Sequence, residues 1–171
     1  MENELKLTGS KEQVLSSVEQ HLSKLGFNVA SKDWSRPWGG FFVLDEAQAP
    51  AFAKKYFADT DINTLKISGK LSPKILMVDA NKRLSWQYHF RRAEIWKLVA
   101  GTAGVVTSDT DNQGVVHKLE IGEVIRLKQG QRHRLVGLDG WGMVAEIWQH
   151  TNAENPSDED DIVRLQDDFG R

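Results

Sequence analysis

The sequence predicts an all-β sandwich or barrel with an N-terminal α-helical extension, and three observations carry that prediction. Short apolar or alternating runs recur at about 64–69, 74–79, 83–89, 94–100, 103–107, 115–119, 123–128, 133–137 and 142–149, the pattern of many short strands. Turn chemistry separates them, as in Asp79-Ala-Asn81, Asp109-Thr-Asp-Asn-Gln-Gly114 and Asp139-Gly140. Helical patterns are confined to the first third of the chain. A length of 171 residues suffices for one domain with its own core.

Composition narrows the function classes. Hydrophobic residues make up 40% and charged residues 27%, with a net charge of −2 and no cysteine. That balance has no polyelectrolyte signature for nucleic acid or membrane, and it excludes disulfides and thiolate metal sites. Neither a basic–apolar leader pattern nor an apolar run of membrane-spanning length occurs. A soluble cytoplasmic protein is expected.

Ser10 to Leu25 reads as an amphipathic helix. Ser10 and Gln13 have capping-box spacing, Val14, Leu15, Val18, Leu22 and Leu25 recur on one face, and Gly26 suits the stop. Arg36-Pro37 and Gly39-Gly40 form a fixed loop before a short apolar strand, Phe41 to Leu44. Ala47 to Phe57 reads as a second helix with Pro50 near its start. The acidic stretch from Ala153 leads into Ile162, Val163, Leu165 and Phe169, an apolar set able to dock, so an ordered tail is expected.

Gln87 and His89 lie two apart, so on an extended strand they share a face. Glu94 falls past a turn on the next strand, and His133 is a fourth candidate. An amide oxygen, two imidazoles and a carboxylate can together hold a divalent cation. His117 and His150 have no partner at ligand spacing and are expected at the surface. Parity points Trp86 and Tyr88 outward, with Leu84 in the same stripe, to be covered by the N-terminal helix or a second copy. Trp96 shares parity with Glu94 and is expected inside.

The spacing Gln87-x-His89-x4-Glu94-x6-Gly101 resembles the first metal-binding motif of the cupins, and Gly122-x5-Lys-x-Gly130-x2-His133 resembles the second. More narrowly, the chain is similar to the type II mannose-6-phosphate isomerase cupin. The runs Arg36-Pro-Trp-Gly-Gly-Phe41, Leu84-Ser-Trp-Gln-Tyr-His89, Arg92-Ala-Glu-Ile-Trp96, Glu159-Asp-Asp-Ile-Val-Arg164 and Asp167-Asp-Phe-Gly-Arg171 carry that likeness. It implies a double-stranded β-helix, the cupin jelly roll, over 34–171 with a helical extension over 1–33. It also implies one divalent metal ion on Gln87, His89, Glu94 and His133, zinc first among zinc, manganese, iron and cobalt.

The activity implied is isomerisation of mannose 6-phosphate to fructose 6-phosphate through an enediolate. Such a reaction needs a base, a positive centre for the developing oxyanion and a grip on the phosphate. Glu146 and Arg164 are the expected catalytic residues. Arg92, Arg134, Arg36 and Lys97 are the expected substrate-binding ones, with Arg132 weaker. Any of these arginines could instead pair with Asp160, Asp161, Asp167 or Asp168. Arg91 and Ile95 stand where the narrower family has histidine, Lys128 where proline is usual, Gly137 where asparagine is common and Trp148 where glutamine is common. A sugar phosphate is the expected partner, with a homodimer as the assembly. The alternatives are a metal- and sugar-binding cupin without turnover, and another metal-dependent cupin enzyme such as a small-molecule dioxygenase.

Overall fold

Two long strands organise the molecule. The computed structural model describes residues 5–61, 64 and 69–171. In it β5 (Arg92–Ser108) and β8 (Arg132–His150) pair antiparallel from Arg92↔His150 to Ser108↔Arg132. The sequence reading splits each of them in two, at Gly101 and at Asp139-Gly140. These glycine-rich points are bends inside continuous strands. Register shifts between Leu98 and Ala100 and between Gly101 and Ala103, where Gly101 has φ +73 and a Cβ would strike the Trp141 carbonyl oxygen. A bulge at a close backbone approach is a place where a strand turns from one layer into another.

The remaining strands add to both halves. β1 (Val29–Asp33), β2 (Gly39–Leu44) and β3 (Lys74–Val78) continue from the second half of β8, and β7 (Val124–Leu127) flanks the first half of β5. β4 (Trp86–Tyr88) and β9 (Val163–Gln166) lie beside the first half of β8, and β6 (His117–Lys118) beside the second half of β5. One nine-stranded sheet thus curls over itself into two facing layers, the jelly roll. β1 escapes the sequence reading because its short run Val-Ala-Ser-Lys-Asp is mostly exposed and lacks alternation. The strand expected at about 64–69 lies almost wholly outside the described residues.

Alternation along the strands separates two apolar cores. Ile75, Met77, Ile95, Met143, Ala145 and Ile147 face outward into a cluster with both helices. Leu76, Val78, Trp96, Leu98, Leu135 and Val144 face into the barrel. α1 (Lys11–Lys24) has the expected capping box and buries Val14, Leu15, Val18 and Leu22. α2 (Ala49–Tyr56) follows the 3-10 turn Glu46–Gln48 and buries Phe52 and Tyr56. Aliphatic residues fill the barrel's lower half, and polar residues of the same inward parity collect at its mouth.

The tail is ordered as expected, for a different reason. Leu165 and Phe169 each remain 37% exposed, so apolar docking does not hold the segment. Instead the Asp161 carboxylate accepts from the Phe90 and Arg91 amides at 2.9 and 3.0 Å, Arg83 grips Asp168 at 2.7 Å, and β9 pairs with β4. Leu15→Ala should therefore cost about 2–5 kcal/mol in urea unfolding, whereas Leu165→Ala should stay within about 0.5 kcal/mol of the parent.

Candidate metal centre at the barrel mouth

His89 immediately follows β4, Glu94 is the third residue of β5, and His133 is the second residue of β8. The sheet register brings them together: Gln87 lies opposite His133, and Glu94 lies opposite Trp148. All three side chains are buried, and their donor atoms lie within 4.8 Å of one another. Glu94 Oε1 is 3.1 Å from His89 Nε2, and Glu94 Oε2 is 3.5 Å from His133 Nε2.

Outer contacts fix both rings. His89 Nδ1 lies 2.7 Å from the Asp161 carbonyl oxygen, and His133 Nδ1 lies 3.1 Å from that of Gln131. Each carbonyl holds the proton on Nδ1 and leaves the Nε2 lone pair directed inward, the arrangement of metal-ligating imidazoles. His89 Nε2 accepts from Arg92 at 3.2 Å. His133 Nε2 is buried with no hydrogen-bond partner. A buried, unpartnered acceptor beside a carboxylate is what a bound cation would satisfy. The donor set of two nitrogens and a carboxylate therefore fits a divalent ion.

The protonation states agree with that fit. Burial, outweighing the pull of Glu94, lowers His133 to about 4, so its ring is neutral near pH 7. Burial would raise Glu94, but the positive charge around it, with the Arg92 guanidinium the permanent part, holds it well below the usual carboxylate range. Gln87 lines the same cavity, with its Oε1 accepting from the Ser85 hydroxyl at 2.6 Å. The compact cluster is thus three residues, with Gln87 alongside.

Above the cluster is a cavity of about 70 Å³ lined by Arg36, Lys74, Gln87, Arg92, Glu94, Trp96, Glu146, Trp148, Glu159, Arg164 and Arg171, among others. Glu146 faces inward, into the cavity. Its Oε2 accepts from Trp96 Nε1 at 2.7 Å and its Oε1 from Trp148 Nε1 at 2.8 Å. Burial, with Glu94 nearby, pushes its carboxyl up to about 8, against the pull of Lys74 and Arg92. Trp96 also donates to Glu94 Oε2 at 3.1 Å, so one indole spans both carboxylates. Arg92 bonds Glu94 at 2.8 Å and reaches Ser157 at 2.8 Å.

Several expectations need correction. Arg134 is fully buried outside this cavity, with Nε donating to the Leu84 carbonyl at 2.9 Å and Nη1 to Gln113 at 3.1 Å. Strand parity sends it away from the lumen that His133 enters. Lys97 likewise pairs with Ala145 and Val124 on the outward side of β5 and does not line the cavity. Arg132 pairs with Asp111 at 2.8 Å and stacks over Tyr88. His150 is buried: Nδ1 accepts from the Ser157 amide at 2.9 Å and Nε2 meets the Ser72 hydroxyl at 2.9 Å. That amide fixes the proton on Nε2, so His150 cannot take one from Ser72. Leu84 belongs to the barrel interior, because the strand begins only at Trp86. Trp86 is covered by the 109–113 loop, donating to the Asp111 carbonyl at 2.7 Å.

Of the replaced family positions Trp148 lines the cavity, whereas Arg91 and Ile95 do not. Ile95 packs into the outer core, and Arg91 meets Asp158 at 3.5 Å. At Gly137 a Cβ would run into the Asp79 carbonyl oxygen, which accounts for glycine there. Lys74 escaped the sequence reading, hidden at the head of the apolar run Lys-Ile-Leu-Met-Val. Its inward parity with Leu76 and Val78 was the available signal.

Comparison with known proteins agrees with this architecture. Over residues 48–167 the chain matches the family described as Mannose-6-phosphate isomerase C-terminal. It is 27% identical over 144 residues to Mannose-1-phosphate guanylyltransferase of Salmonella montevideo, covering 84% of this chain and 24% of that protein. The chain therefore spans about a quarter of the length of such a relative. Among solved structures, oxalate decarboxylase from Bacillus subtilis aligns with a TM-score of 0.56 at 12% identity, over 79% of this chain and 30% of that one. The 7S globulin of Momordica charantia aligns with a TM-score of 0.52 at 16% identity, over 80% and 34%. These two likenesses show the barrel fold alone. The family match spans Gln87, His89, Glu94, His133 and Glu146 together, and the chain belongs to the mannose-6-phosphate isomerase C-terminal family, built on a cupin jelly roll.

Proposed function

We propose that this barrel is a metal-dependent aldose–ketose isomerase of a sugar phosphate, with mannose 6-phosphate the first candidate substrate. The observation that carries the reading is Glu146. It is a buried carboxylate, raised to about 8 and held by two indoles, beside a cluster fit for a metal. A cavity lined by Arg36, Lys74, Arg92, Arg164 and Arg171 supplies the cationic surroundings that a phosphorylated ligand needs.

In the open-chain aldose, the ionised Glu146 takes the C2 proton. Electrons from that C–H bond form the enediolate, the O2 hydroxyl proton passes to O1, and Glu146 returns its proton to C1. Trp96 and Trp148 hold both Glu146 oxygens, so the carboxylate cannot rotate out of line. His89, Glu94 and His133 would hold the divalent ion, with Gln87 beside them, and that ion would supply a positive charge to oxygens bound next to it. Arg164 and Arg36 line the mouth, placed to meet a phosphate.

The cavity of about 70 Å³, small beside the roughly 300 Å³ at the lower end of small-molecule sites, favours a second reading, a metal-binding cupin without turnover. An oxygenase would call for an apolar pocket without an anion grip, which the cationic lining disfavours. A coupled assay with mannose, glucose and heptose phosphates after loading with zinc, manganese, iron or cobalt separates these readings. No turnover of any substrate with any metal would overturn the isomerase.

Three outcomes are expected. Zinc should raise the melting temperature of the parent and of Glu146→Gln, but not of Glu94→Gln or His133→Ala, as read by thermal shift and bound-metal analysis. Glu146→Gln should lower kcat by about 10²-fold or more. The folded state favours the protonated Glu146. Its contribution to stability is therefore complete below the unfolded pKa of about 4.3 and is lost as pH rises through about 8. Urea unfolding across that window should show a decline in the parent that Glu146→Gln lacks, while kcat/KM of the parent rises with pH.

A further inference from the structure

We infer that Lys74 is an anion-binding residue of this site, and that Glu159 holds its ammonium in the place a ligand's phosphate would take. The inference deepens the sugar-phosphate reading and rests on it for the ligand class. Lys74 enters the barrel at the head of β3, its side chain only 5% exposed, and its Nζ meets Glu159 Oε1 at 2.6 Å. The ammonium also lies 3.2 Å from the centre of the Trp148 ring, which the Arg92 guanidinium meets at 3.7 Å. The ring thus carries one cation from β3 and one from β5, both lining the cavity with Glu146.

The carboxylates paired with the cavity's cations are not equally fixed. Glu94 is bonded to Arg92 and Trp96. Asp167 accepts from the Arg171 side chain and from the Phe169 and Arg171 amides. Asp33, which faces Arg36 at 3.0 Å, also accepts from the Ser35 amide and hydroxyl. Among the described residues Glu159 makes a side-chain contact to Lys74 alone, and its side chain is 54% exposed. Displacing it breaks one ion pair and returns a carboxylate to water. An arriving phosphate brings up to two charges and three acceptor oxygens to the same ammonium.

The cavity geometry agrees. A second cavity of about 370 Å³ on the neighbouring side of the mouth is also lined by Lys74, Trp148 and Glu159. The Lys74–Glu159 pair and Trp148 therefore line both that space and the 70 Å³ space beside Glu94. Withdrawal of the Glu159 side chain would leave the Lys74 ammonium facing both. Glu159 thus keeps its lysine neutralised until an anion competes for it.

The distinguishing expectation is that removing a charged residue at the mouth strengthens binding. Inorganic phosphate and mannose 6-phosphate would be titrated calorimetrically into the zinc-loaded full chain, its Glu159→Gln variant and its Lys74→Gln variant. Glu159→Gln should tighten phosphate binding about fivefold, the scale of a competing half-exposed ion pair. Lys74→Gln should weaken it at least as much. Glu159 lies at the surface, so its variant reports even if Lys74→Gln fails to fold. Unchanged or weakened phosphate affinity in Glu159→Gln overturns the inference. If mannose 6-phosphate is turned over with the same KM in the parent and Glu159→Gln, the Lys74 assignment falls and the isomerase stands. If nothing is turned over but Glu159→Gln tightens phosphate, the isomerase falls and the anion site stands.

Discussion

A carboxylate in a nearly dry barrel needs compensation, and Glu94 sets that demand here. One guanidinium and one indole donate to it, and two imidazole nitrogens face it across the place a cation would take. An uncompensated buried charge would cost several kcal/mol, so the chain must deliver these partners together. They come from β4, β5 and β8, and only one register of those strands brings them within reach. A one-residue slip would exchange the inward and outward sets and send Glu94 into the apolar outer core.

The same requirement accounts for the C-terminal segment. Its residues bind the barrel through polar contacts at the mouth, with Asp161 capping two amides and offering its carbonyl to His89. Ser157 links His150, Arg92 and Asp161 in one buried network. The segment serves the orientation of the site more than the hydrophobic core, consistent with its exposed Leu165 and Phe169. The helices do the converse: α1 and α2 cover the outer face of the sheet and contribute no residue to the cavity lining.

Local pattern made much of this legible. The capping box of α1 and the inward position of Trp96 follow from short-range periodicity, which survives folding intact, whereas the grouping of His89 and Glu94 with the distant His133, and the choice of Glu146, came from the family resemblance. What failed was set by long-range geometry. Gly101 reads as a break between strands because sequence cannot show that the Trp141 backbone passes beside it. Arg134 and Lys97 read as phosphate ligands for another reason: family position and charge outweighed strand parity, which sets them on the faces opposite to His133 and Glu94. Lys74 was hidden by its apolar neighbours, and His150 by the lack of any local sign that Ser72 and Ser157 would meet it. Arginine pairing was foreseen as a class, but Arg83 rather than a mouth arginine took Asp168.

The aim of His89 depends on a carbonyl 72 positions further along the chain. A nascent chain emerging from the ribosome therefore passes through β4, β5 and β8 before that ring can be locked. Any metal taken up by this centre would find His89 fully aimed only once residue 161 has emerged and docked, so its uptake would be sensitive to whatever delays that segment from settling.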